Sequence, residues 1–82
     1  MQTTYRYGNG WTLEITGYRA LHAEFTSYLE DYGEGYMAQG TLSKGGVVLK
    51  VDGFAHKTLE RAYQGLAELA ESDGDLYDRT HP

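Results

Sequence analysis

Three histidines, two carboxylate clusters and a scatter of hydroxyls are the groups in this chain that chemistry could use. Histidine serves as base, metal ligand or pH switch near neutrality. His22, His56 and His81 show no H-x-x-x-H or H-E-x-x-H spacing, so each reads more simply as a surface or capping residue. The carboxylates gather in "EDYGEG" (Glu30, Asp31, Glu34) and "ESDGD" (Glu71, Asp73, Asp75). Neither follows the alternating oxygen ligands and terminal glutamate of a calcium loop, and both read as solvated loops. Ser27, Ser43 and Ser72 stand outside any G-x-S-x-G elbow. "SKGG" (43–46) lacks the G-x-x-x-x-G-K-[ST] frame that cradles phosphate and reads as a hairpin turn. These patterns lead us to expect no catalytic residue, no metal site and no cofactor.

The elements that would position such groups are legible to different degrees. "FAHKTLERAYQGLAELAES" places Leu59, Ala62, Tyr63, Leu66, Leu69 and Ala70 at three-and-four spacing. That spacing predicts an amphipathic helix over 55–72, with Gly65 allowing close approach to a sheet and Gly74 in "SDG" as its stop. "GVVLKVDG" alternates Val47, Leu49 and Val51 against Val48, Lys50 and Asp52, and with "GYMAQGTLS" it predicts a hairpin of 36–42 and 46–52. "WTLEIT" turns Trp11, Leu13 and Ile15 to one face. Asn9-Gly10 before it is a hairpin-turn signal, with "TYRY" as the partner strand.

Residues 18–31, "YRALHAEFTSYLED", are ambiguous. Helical spacing gathers Tyr18, Leu21, Phe25, Tyr28, Leu29 and Tyr32, whereas strand spacing gathers Leu21, Ala23, Phe25 and Leu29. A helix would set Arg19 at the positive end of its dipole and Glu30 and Asp31 at the negative end, which favours the strand. The expected fold is α+β: an antiparallel meander of four to five strands with one C-terminal amphipathic helix on one face. The alternative is ββαββα. Residues 1–74 form a single small domain on this reading, and 75–82 a polar, frayed tail.

Composition narrows the function. A domain of 82 residues buries only roughly 60–65% of its unfolded surface, which leaves little chain to enclose a water-free pocket. The absence of cysteine removes thiol nucleophiles, thiolate metal sites and disulfides. No apolar run reaches the ~20 residues of a membrane span, and "MQTTYRYGNG" lacks a signal-peptide core, so a soluble cytoplasmic protein without membrane contact is expected. Net charge is −5, from 12 acidic and 7 basic residues. Arg6, Arg19, Lys44, Lys50, Lys57, Arg61 and Arg79 are scattered singly, which disfavours direct nucleic-acid binding, because that binding needs a basic stripe to neutralise phosphates. An acidic surface suits a basic protein or nucleoprotein complex instead.

Eight tyrosines add recognition area at low entropic cost, since each has only two torsions to freeze. Tyr63 is assigned to the core, Tyr5, Tyr7, Tyr18 and Tyr28 to sheet edges, and Tyr32 and Tyr36 to solvent. "YLEDYGEGYM" (28–37) is read as strand–turn–strand, with Tyr28, Glu30, Asp31, Tyr32, Glu34 and Tyr36 as a partner-binding edge. Edge pairing through Tyr5 and Tyr7 would also permit a homodimer. A cysteine-free acidic chain of this size, with strands leading into one helix, resembles small phage-encoded inhibitors of the anti-CRISPR type. That resemblance is of overall type, carries no residue roles, and implies blockade of a nucleic-acid-handling complex. "KTLERAYQGLAEL" after strands is loosely similar to antitoxins with a partial RNase H fold, which implies a regulatory interaction module. A small enzyme would instead need a concave site with a strongly perturbed titratable group.

Overall fold

The computed structural model describes residues 1–22 and 34–82. Strands β1 (Thr4–Arg6), β2 (Thr12–His22), β3 (Glu34–Lys44) and β4 (Val47–Asp52) pair antiparallel in the order β1-β2-β3-β4, and helix α1 (Leu59–Thr80) follows. The chain therefore forms the open meander with one C-terminal helix, with four strands. Residues 18–22 belong to β2, so the first part of the ambiguous segment is strand. The rest of the ambiguous segment, 23–31, lies outside the described residues.

Turn chemistry fixes the register. Gly45 and Gly46 both adopt positive φ, 53° and 86°, as a two-residue hairpin turn requires, so Ser43 and Lys44 extend β3 instead of forming part of the loop. At the first hairpin, Gly10 N–H donates to Tyr7 O and Gly10 takes φ 91°. Asn9 Oδ1 accepts from Trp11 N–H at 3.0 Å and completes that turn.

An irregularity in β2 decides which side chains face the helix. Ile15 pairs with Gly40 and Gly17 with Gln39, leaving Thr16 as the extra residue of a β-bulge. Gly40 is required here, because a Cβ would collide with the Glu14 carbonyl oxygen. The bulge inverts the alternation. Trp11, Leu13 and Ile15 face the helix before it, whereas Tyr18 and Ala20 share the face of Ala38 and Tyr36 after it. Leu21, assigned to the inner face by simple alternation, thus falls on the outer one.

Helix α1 differs from expectation at both ends. It starts at Leu59, not 55, because the preceding segment still pairs with β3: Gly53 N–H donates to Ala38 O, and Tyr36 and His56 exchange both backbone bonds at 2.8 and 2.9 Å. Thr58 caps it, its hydroxyl accepting from Arg61 N–H at 3.2 Å. It passes through Gly74 and ends at Thr80, where His81 N–H donates to Tyr77 O. Residues 75–80 are helical, in place of the frayed tail, because Ala70, Gly74 and Tyr77 continue the inward spacing.

Trp11, Leu13, Ile15, Ala38, Leu42 and Val51 of the sheet bury against Ala62, Leu66, Ala67 and Ala70 of α1. Two glycines let the helix settle this closely. A Cβ on Gly65 would lie 2.6 Å from His56 Nε2, and one on Gly74 would lie 2.7 Å from Trp11 Cδ1. Trp11 is only 1% exposed, so its indole has no room to retreat. Gly74→Ala should therefore lower unfolding stability by roughly 1–3 kcal/mol through overpacking. Helix propensity alone predicts a gain of about 1 kcal/mol. Urea denaturation decides between the two by the sign of the change.

Candidate functional site

Extending α1 to Thr80 changes where the charge lies. The helix carries six carboxylates (Glu60, Glu68, Glu71, Asp73, Asp75, Asp78) against two cations (Arg61, Arg79). It therefore holds a net −4 of the chain's −5. At 100° per residue, Glu60, Glu68, Glu71 and Asp75 fall on one side, away from the buried row, and all four are exposed. "ESDGD" is thus a stretch of helix face, not a solvated loop. The carboxylates of Glu71, Asp73 and Asp75 meet no cation among the described residues. Glu68 reaches Arg61 only at 3.7 Å, with both side chains largely in water, an arrangement that contributes little.

Negative charge near a helix C-terminus opposes the macrodipole, and the fold compensates with a polar clasp at that end. Asp78 Oδ2 accepts from Lys44 Nζ at 2.9 Å and from Trp11 Nε1 at 3.0 Å. Asn9 Nδ2 donates to Glu71 O and to Asp75 Oδ1. Tyr77 meets Trp11 edge-on at 5.4 Å between ring centroids and stacks on His81 at 3.9 Å. The bonds from Lys44 and then Trp11 hold the Asp78 carboxyl below its ordinary value. Tyr7 O–H donates to Ala67 O at 2.5 Å. Burial, and then the Glu71 charge, push its phenol up to about 12, so it stays neutral at physiological pH.

Of the six residues assigned to a binding edge, Tyr28, Glu30, Asp31 and Tyr32 lie outside the described residues. Glu34 opens β3 opposite His22. Tyr36 does not stand in solvent: it is half-buried against the core, bridged to His56 and edge-on to Tyr18 at 5.9 Å. Tyr5, Tyr7, Tyr63 and Tyr77 also lean on the core. Tyr18, by contrast, is 48% exposed, carried out where β2 and β3 pass the start of α1. The bulge turns it onto the helix-side face, whereas unbroken alternation from Ile15 would set it on the outer one. The helix charge had a sequence signal, namely the spacing of Ala70, Gly74 and Tyr77, which carries α1 past "SDG".

Among the described residues no three His, Asp or Glu side chains are grouped to hold a metal ion, and no helix is long and apolar enough to cross a membrane. Open grooves flank α1. One lies between Tyr5 of β1 and Tyr63 of the helix. The chemistry on display is that of charge and aromatic contact.

The clasp yields a pH prediction. Because the folded Asp78 carboxyl titrates below its unfolded value, its stabilisation is present above the unfolded pKa and is lost as pH falls through the folded one. Asp78→Asn should destabilise the protein at neutrality. The gap from wild type should close as pH drops below about 4, as read from urea midpoints across that range. A gap independent of pH would mean that the charge is irrelevant to the clasp.

Comparison with protein-family models, with curated proteins and with solved structures finds no match to this chain.

Proposed function

We propose that the chain is a non-enzymatic, protein-binding inhibitor whose acidic, tyrosine-bearing surface occupies a basic site on a nucleic-acid-handling protein or complex, in the manner of small phage anti-CRISPR proteins. The observation that carries this reading is the segregation of charge: α1 holds −4 of the chain's −5, with Glu60, Glu68, Glu71 and Asp75 exposed along one side. A predominantly negative helix of this kind raises encounter rates with a basic surface and disfavours contact with nucleic acid itself. Aromatic contact comes from the exposed Tyr18 and from the 28–36 segment, in which Tyr28, Glu30, Asp31, Tyr32 and Glu34 are the proposed anchors, with Tyr36 held against the core behind them. Carboxylates around a phenol supply orientation at the rim, and the ring supplies buried area.

The reading has a direct test. Tagged wild-type chain should capture a basic protein from cell lysate and release it as salt rises, because exposed charge pairs are screened within about 10 Å at 0.1 M. A Glu68→Lys, Glu71→Lys, Asp75→Lys variant should lose at least about tenfold in affinity for that captured protein, as should Tyr32→Ala with Glu34→Lys. Undiminished binding by both variants, each confirmed folded by circular dichroism, would remove this surface from consideration.

A further inference from the structure

Among the described residues, β4 is an end strand and nothing pairs with its far side. The two-residue turn at Gly45-Gly46 makes Lys44 and Val47 a hydrogen-bonded pair, so Leu49 and Val51 also bond towards β3. Gly53 keeps the same phase, donating to Ala38 O at 2.9 Å. The backbone N–H and C=O groups of Val48, Lys50 and Asp52 therefore face away from the sheet, and their side chains share its uncovered outer face. Two apolar side chains stand unusually open beside them, Val48 at 65% and Phe54 at 70% exposed.

We propose that the chain forms a symmetric dimer by antiparallel pairing of β4 with β4 of a second copy, about a twofold axis at Val51. The strand is complementary to itself in this register. Lys50 lies opposite Asp52 of the second copy, and the reciprocal pair repeats the contact. Carried one step further, the register sets Val48 opposite Phe54. Both charge pairs fall at positions whose backbone groups face outward, so side chains and hydrogen bonds agree on the same alignment. A twofold axis at Lys50 would oppose two lysines, and one at Asp52 would oppose two aspartates. An axis at Leu49 would leave both charges facing Val48 and Gly46. Like charges directly opposed on a sheet are destabilising, and opposite ones favourable.

Central lysine ordinarily guards an edge strand against pairing; here it has a matching carboxylate two residues along the same strand. On the helix side of the edge, Leu49, Val51, Leu76 and Tyr77, together with the polar Lys50, Asp73 and Thr80, line a groove of about 330 Å³, and Leu76 is 53% exposed. The twofold axis brings a second set of these side chains alongside, within a continuous sheet of two four-stranded halves. This dimer does not depend on the acidic helix face, which remains accessible on each copy.

A charge swap tests the register. Sedimentation equilibrium of the full chain should show a wild-type dimer. Lys50→Asp sets carboxylates opposite each other, and Asp52→Lys sets ammonium groups opposite each other. Each should raise the dimer dissociation constant at least about tenfold. The double variant Lys50→Asp, Asp52→Lys restores opposite charges and should return to within about threefold of wild type. Circular dichroism and melting temperature establish that each variant is folded. A wild type that stays monomeric up to about millimolar concentration, single variants that dimerise like wild type, or a folded double variant that does not recover would each overturn the proposal.

Discussion

The close seating of α1 on the sheet is the constraint from which the rest of this structure follows. Among the described residues, the four strands and α1 meet along one seam, between Trp11, Leu13, Ile15, Ala38, Leu42 and Val51 on one side and Ala62, Leu66, Ala67 and Ala70 on the other. Large residues from the sheet meet small ones from the helix, so the axis approaches until the glycines at 65 and 74 touch the rings of His56 and Trp11. Dispersion gained at that distance falls off steeply with separation. A domain this small has little other buried surface to make up a loss there. The same proximity lets Tyr7 reach a helix carbonyl and brings Asp78 within reach of both Trp11 and Lys44.

Seating the helix by its small residues also sorts the charges. Helix α1 as a whole holds −4 of the chain's −5, while the opposite face of the sheet carries a mixture of threonine, serine, Glu14, Arg19, Lys50 and Asp52 without a dominant sign. The molecule is thus polarised, strongly negative across α1 and nearly balanced across the sheet. A partner drawn to the helix and a second copy drawn to the strand edge would use different sides and different forces, long-range attraction in one case and backbone pairing in the other.

Much of the fold was legible in the sequence because turns and alternation are local signals. Asn9-Gly10 and Gly45-Gly46 marked both short hairpins, and the alternation in 47–52 named the buried row of β4 correctly. The misjudged features were those set by tertiary contact. Gly74 has the composition of a helix stop, yet its lack of a side chain is what Trp11 needs, and that is visible only once the strand lies beneath it. The bulge at Thr16 depends on Gly40 across the sheet, so nothing within β2 announces that Tyr18 turns inward and Leu21 outward. Tyr36 was expected in solvent because glycine and glutamate flank it, but its backbone bonds to His56 draw it against the core. Residue types and charge at the proposed binding edge are local information, whereas the burial of Tyr36 is set by packing.

Trp11 is the single tryptophan of the chain, and it sits beneath Gly74, edge-on to Tyr77 and bonded to Asp78. All indole fluorescence of this protein therefore originates at one seam, in a dry site beside a carboxylate. Any event that lifts the end of α1 must hydrate that one fluorophore and shift its emission to the red, so the protein carries its own optical gauge of helix docking.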